Sequence, residues 1–457
     1  MVASLAVLAL AAYFFGLAGI GLRQFFTHDD LANLGRVQGD SIATVLRWNL
    51  LYFSPSYRPL GALFYRVFYE WFSLNPVPSR VFCFAMLAAD LWIGYAVARN
   101  LTGSREAGAL TVLLASYHVY FTPMYYNTGL CYDILCFFFY WAAFLYYIRI
   151  REQRDWPRWW QMAAISLLYI AALDAKEMAV TLPLIVILWE LLFHPLWLEW
   201  SGIAKPGRRL ATGALLAILT IPYVAGKLSG ASIFASQAAY QPTVTAANYW
   251  RECAHLLDET LYLIDTIRPR QAVFVCVSLG AIAWLSRSAV LRFSWLVVMA
   301  GILPIAFIQP RGIVQAWVPA LGFAIAAANV AVRVRERIFR RSPSSAVIGS
   351  QIALFAVLTI LLVQIHLRHG ARLMDTTEED VTRSVVNQLR EHHPPLPKGG
   401  KVLVVSDPFP DPFTLASSIL ICLYYHDPDL HVTRLNRGDP VPDPARQREY
   451  EWVVAFR

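Results

Sequence analysis

The chain reads as a polytopic, all-α membrane protein that ends in a small α/β unit. Three observations predict this. Hydrophobic residues fill 57% of the 457 positions and charged ones only 15%, too few to cover a soluble core of that size. Apolar runs near the roughly 20 residues needed to cross hydrocarbon recur along most of the chain. After about residue 370 charges and prolines become common and short strand-like runs appear.

The apolar runs lie near 3–22, 79–98, 107–123, 132–149, 159–174, 177–194, 210–228, 271–286, 289–308, 313–332 and 345–366. They predict about eleven transmembrane helices within a membrane domain, 1–369. The first run has no basic segment ahead of it and no convincing cleavage site before "GLRQFF", so it reads as a retained span, with a cleaved signal sequence as the alternative. Short loops holding Arg99 and Arg105, Arg149 to Arg158, Lys205 to Arg209, Arg287 and Arg292, and Arg333 to Arg341 share one side. The positive-inside rule makes that side cytoplasmic. The net charge of +8 therefore follows from topology, and basic residues scattered among short hairpins predict no nucleic-acid partner. The expected setting is a bacterial inner or plasma membrane, with two long loops, 23–78 and 229–270, on the outer side. Six cysteines show no CxxC pair and no zinc spacing.

Within 23–78, "SIATVLRWNLLYFSPSYRPLGALFYRVFYEWF" mixes aromatics with scattered arginines, which predicts one or two helices lying in the interface. Segment 229–270 is similarly aromatic, which argues against disorder. In the small domain 370–457, "TTEEDVTRSVVNQLREHHPPLPKGGK" reads as a helix and linker, and "FTLASSILICLYY" as a helix. "KVLVVS", "HVTRL" and "EWVVAF" read as strands. With no catalytic signature, this extracytoplasmic unit reads as a structural cap.

Residues able to do chemistry gather at the outer junctions. "FFTHDD" brings His28, Asp29 and Asp30 to the mouth of the first span. A carboxylate at the bilayer centre costs ~2.5–3.5 kcal/mol, so the pair belongs at or beyond the interface. It is either a polar helix exit or a reactive pair, since adjacent carboxylates separate in pKa and one then suits a general base. In "SYRPLG", Arg58 precedes Pro59, which biases it away from helix; its guanidinium suits a phosphate or a headgroup. "MYYNTGLCYD" gathers Tyr126, Asn127 and Asp133, the last of which also reads as a helix-capping acid. "DAKEMAV" crowds Asp174, Lys176 and Glu177 into one hairpin, for internal ion pairing or for an anionic ligand. "QPRGIVQAWVP" sets Arg311 at a late outer turn. Cations for a phosphate and carboxylates for a proton together suggest chemistry with a phosphate leaving group at the membrane face.

In these motifs and their order the chain resembles the GT-C superfamily of membrane glycosyltransferases. The nearest branch holds protein O-mannosyltransferases, tetratricopeptide-bearing mannosyltransferases and bacterial aminoarabinose transferases. The likeness covers about residues 1–330 in layout, is specific only at the short motifs, and leaves the C-terminal unit uncovered. It implies a GT-C-like fold and inverting transfer of a sugar from a polyprenyl-phosphate carrier to a lipid, glycan or protein acceptor. It further implies a base at Asp29 or Asp30, and donor-phosphate contacts from Arg58 and Arg311 with Lys176. Lys176 and Glu177 match a recurring Lys-Glu pair. Many relatives carry Asp-Glu where this chain has Asp-Asp, which leaves open which carboxylate is the base. Phosphate leaves readily, so no cofactor is expected; a divalent metal on the aspartates is the lesser alternative. A transporter or flippase of lipid-linked sugars, or a non-catalytic binding subunit, is the reading from another class. Ionisable groups in mid-span would favour it, and the notable charges lie at hairpins instead.

Overall fold

In hydrocarbon a chain satisfies its backbone only as helix or closed barrel, and these apolar runs lack the two-residue alternation of barrel strands. Helix is what forms. The computed structural model describes residues 2–50, 58–153, 156–194, 206–229, 241–263, 265–373, 376–409, 416–435 and 440–456. Ser56 and Tyr57 of "SYRPLG", residues 230–240 of the second long loop, and Arg154 and Lys205 lie outside them.

Among the described residues six helical stretches are long and apolar enough to cross a membrane. They are Leu5–Arg23, Val77–Thr102, Thr128–Glu152, Leu210–Lys227, Trp317–Ile338 and Ser344–Gly370. Three more of the apolar runs are the shorter helices Trp159–Ala175, Pro269–Leu285 and Ala289–Gly301. The remaining two are cut short by local backbone. The helix Arg105–Tyr117 stops where His118 turns extended ahead of a 3-10 turn. The helix Leu182–Phe193 starts only after the 3-10 turn Glu177–Thr181.

In chain order the first elements are α1 (Val2–Ala12), α2 (His28–Val37), α3 (Ile42–Leu50), α4 (Pro59–Phe72), α5 (Val77–Thr102), α6 (Arg105–Tyr117), α7 (Pro123–Tyr126) and α8 (Cys131–Glu152). Among the described residues the stretch expected to hold one or two helices contains two, α3 and α4, and α2 precedes them. In α2 the buried stripe is Leu31, Leu34 and Val37, at helical spacing. Pro59 opens α4 at its first position, with Arg58 outside the helix at φ −142°.

The bundle has two chemically distinct ends. The 22 residues of α8 rise about 33 Å, so Asp133 and Arg151 sit at opposite ends. At the Arg151 end, Arg151 pairs with Glu190 at 2.7 Å and Arg335 with Glu106 at 2.8 Å. The HDD motif lies at the other end.

The small unit opens with the helix Thr377–Glu391. Strands β1 (Lys401–Ser406), β2 (His431–Arg434) and β3 (Trp452–Ala455) pair in parallel in the order β2-β1-β3. The apolar run Val402–Val404 is wholly buried, as a central parallel strand requires. The helix Ala416–Tyr424 packs on the membrane-domain segment: an Ile419 methyl lies 3.0 Å from where a Cβ on Gly35 would stand. Tyr69 of α4 donates to the Leu423 carbonyl at 2.7 Å. The strands and helix expected from "KVLVVS" to "EWVVAF" are all present.

Candidate functional site

Thr27 caps α2, and Asp30, three residues on, completes a capping box. Asp30 is wholly buried. Its Oδ2 accepts from the Thr27 N–H at 2.9 Å, with the Thr27 hydroxyl at 3.1 Å. Its Oδ1 accepts from the Tyr65 hydroxyl at 2.8 Å and the Thr128 hydroxyl at 2.7 Å. Arg80, itself buried, stands 3.8 Å from Oδ2 and donates to the carbonyls of Phe25 and Tyr126. Asp30 and Arg80 thus bind α2, α4, α5 and the turn before α8 into one piece.

Asp29 is different. It is open to solvent, and among the described residues nothing hydrogen-bonds its carboxylate. It lies against Gly129, where a Cβ would come within 3.0 Å of the Asp29 Cβ and 2.8 Å of Asn127 Oδ1. Crowding by protein and then the Asp30 charge push its carboxyl above the usual range, while His28, Arg58 and Arg36 pull it back. Arg36 follows Asp29 by seven residues on α2, hence on the same face. Asn127 accepts from the Gly129 N–H at 2.7 Å and so shapes this floor.

Beside Asp29 runs a chain of charges. Arg58 donates to Glu177 through Nη2 at 2.9 Å and Nε at 3.3 Å, with both side chains partly exposed. Its guanidinium lies over the Tyr132 ring at 5.0 Å. Next along, the Lys176 ammonium pairs with Asp133 at 2.5 Å, both buried. The "SYRPLG", "NTGLCYD" and "DAKEMAV" motifs therefore meet through Arg58–Glu177 and Lys176–Asp133. Lys176 is thus ion-paired with Asp133 of the "NTGLCYD" motif.

Gly61 makes the platform. A Cβ there would stand 1.8 Å from Tyr132 Cε1. Gly61→Ala must displace the ring that carries Arg58, and an overpacking cost of about 1–3 kcal/mol is expected. A thermal melt in detergent checks this; an unchanged melting temperature would contradict the packing.

Arg311 stands in a second acidic setting. Its backbone N–H donates to Glu252 Oε2 at 3.2 Å, and the Ile313 N–H donates to Glu259. Both acids belong to the helix Ala246–Thr260, which so fixes the late turn. Burial pushes the Glu252 carboxyl up to about 8.

Three residues escaped the sequence reading. Arg80 opens an apolar run, where it resembles an ordinary helix end. Arg36 carries no motif. Asp90 had a signal: it is the one acidic residue inside the run 79–98. It is wholly buried, and among the described residues neither carboxyl oxygen has a hydrogen-bond partner. The Trp317 indole N–H is in reach but short of hydrogen-bond geometry. Charges are thus not confined to hairpins. Because an unpartnered buried polar group costs stability, Asp90→Leu should leave the melting temperature unchanged or raise stability by about 1–3 kcal/mol. A marked drop would show that Asp90 holds a partner.

No protein-family model matches the chain, and no curated protein does.

Proposed function

We propose that the protein is a membrane glycosyltransferase that moves a sugar, with inversion, from a polyprenyl-phosphate carrier to a lipid, glycan or protein acceptor. The reading includes a GT-C-like domain of about eleven spans, with the HDD end on the outer face of a bacterial plasma membrane. The loop arginines at the opposite end, among them Arg149, Arg158, Arg333, Arg340 and Arg341, support that orientation.

The observation that carries the reading is that the Arg58 charge acts on the Asp29 carboxylate. A solvent-open carboxylate to which no donor bonds among the described residues lies within electrostatic reach of a guanidinium on an aromatic platform. In the proposed step an acceptor hydroxyl or amine attacks the anomeric carbon and gives its proton to Asp29. The sugar–phosphate C–O bond breaks, and its electron pair leaves on the phosphate. Arg58, loosened in part from Glu177, gains hold on the phosphate as charge builds there. Arg311 contributes a second cation from the late turn. Asp30 and Lys176 hold the architecture.

The carrier reading draws on Asp90, since a buried mid-span carboxylate marks substrate paths in transporters. Both readings meet one experiment: the full chain in nanodiscs with radiolabelled polyprenyl-phosphate sugars and an acceptor panel. Sugar leaving the carrier supports the enzyme. Intact donor crossing the bilayer without cleavage, and lost in Asp90→Leu, supports the carrier.

A further inference from the structure

We propose that the C-terminal unit is a clamp on the helix that bears Asp29, with Glu378 as its positioning residue and Glu379 as the side chain that sets how firmly it closes. The role given to Asp29 rests on the function proposed above; the clamp itself rests on contacts.

The first N–H groups of any helix need acceptors from outside it. In α2, Thr27 serves Asp30, but the His28 N–H is served by Glu378 Oε2 at 3.2 Å, from a residue 350 positions later. The Thr27–His28 peptide, one residue ahead of Asp29, is therefore held by the C-terminal unit. Arg383 on the same helix donates to the Arg23 carbonyl at 2.7 Å and lies over the Phe25 ring at 5.9 Å. The clamp thus holds the chain ahead of "THDD" and the His28 N–H within it, while Ile419 packs on Gly35 further along α2. A cap that only shielded a surface would not need to supply a helix-start acceptor at this one turn.

Glu379 lies in the seam. It is buried, and among the described residues neither of its carboxyl oxygens has a hydrogen-bond partner. The charged groups facing it are Arg80 from α5, Asp30 from α2, and Glu378 from its own helix. Among the described residues, Arg80 also has a buried Nε without a hydrogen-bond partner. Burial pushes the Glu379 carboxyl up to about 7, with Glu378 and Asp30 adding to the rise and Arg80 opposing it. A carboxyl raised on closure favours the closed state while it is protonated. The Glu379 contribution to closure is therefore fully present while its carboxyl is protonated and fades as pH climbs through about 7.

Hydrogen exchange of the peptide covering residues 24–37, on the full chain in nanodiscs, tests this without needing a substrate. Rates are normalised to those of the unstructured chain at each pH. Wild type should lose protection as pH rises through about 7, and Glu379→Gln should flatten that dependence. Glu378→Ala should lose protection at α2 by roughly tenfold, the worth of a hydrogen bond to a charged acceptor. Glu378→Gln, whose amide oxygen still accepts, should recover most of it. In transfer assays Glu378→Ala should lower kcat and leave the donor KM in place.

Protection independent of pH in wild type and unchanged in Glu378→Ala would overturn the clamp, whatever the activity. If wild type transfers no sugar, the enzyme reading fails, and the exchange data still decide the clamp. Should Glu378→Ala not fold, the pH slope of Glu379→Gln against wild type decides it: a flattened slope supports the clamp, and an unchanged one overturns it.

Discussion

If Asp29 is the base of the proposed transfer, Asp29→Asn should lower sugar transfer by roughly 10²–10⁴-fold, the share that a positioned base supplies. Donor binding and melting temperature stay near wild type. Asparagine keeps the size of the side chain, and among the described residues no donor bonds to the Asp29 carboxylate, so no hydrogen bond is lost with the charge. The pH dependence follows with a definite sign. The base works ionised, so kcat/KM rises with pH through the raised pKa of Asp29 and levels off above it. Stability runs the other way. A carboxyl whose pKa is raised by folding favours the fold while protonated, and that contribution fades as pH rises through the raised value. Asp29→Asn should therefore be neutral or mildly stabilising where the enzyme is most active. Single-turnover transfer and thermal melts across pH check both statements.

Asp30→Ala has the largest expected effect on stability. It leaves Arg80 buried without a counter-charge and strips acceptors from the Tyr65 and Thr128 hydroxyls and the Thr27 N–H. Breaking a buried ion pair from one side costs about 3–5 kcal/mol. The expected result is a clear fall in melting temperature in detergent, with loss of protection in α2, α4 and the turn before α8 together. An unchanged melt would mean that solvent replaces the carboxylate at little cost, which its burial does not allow.

The order of elements was largely legible because its causes are local. Apolar length marks the spans, and the run "VLVV" flanked by polar residues marks a central strand. Pro59 places Arg58 outside its helix for a steric reason written in two adjacent letters. The division of labour between Asp29 and Asp30 was half legible. Thr27-His28-Asp29-Asp30 carries the spacing of a capping box, and that spacing points to the second aspartate as the structural one. What seals it is Arg80, Tyr65 and Thr128, brought in from three other elements, and no local pattern announces them. Lys176 read equally well as an ion-pair partner or a phosphate ligand until Asp133 stood 2.5 Å from it. Glu378 and Glu379 sat in "TTEED" as ordinary acids at a helix start, because their meaning depends on a segment some 350 residues earlier. Asp90 was readable by the cost of a carboxylate inside an apolar run.

The most direct test compares Asp29→Asn with Asp30→Asn in one preparation, measuring single-turnover transfer per folded, donor-loaded molecule. The account predicts that Asp29→Asn is folded and inactive, while Asp30→Asn is less stable yet retains transfer in the fraction that folds. A stable, donor-binding Asp30→Asn that transfers nothing, beside an active Asp29→Asn, would contradict it.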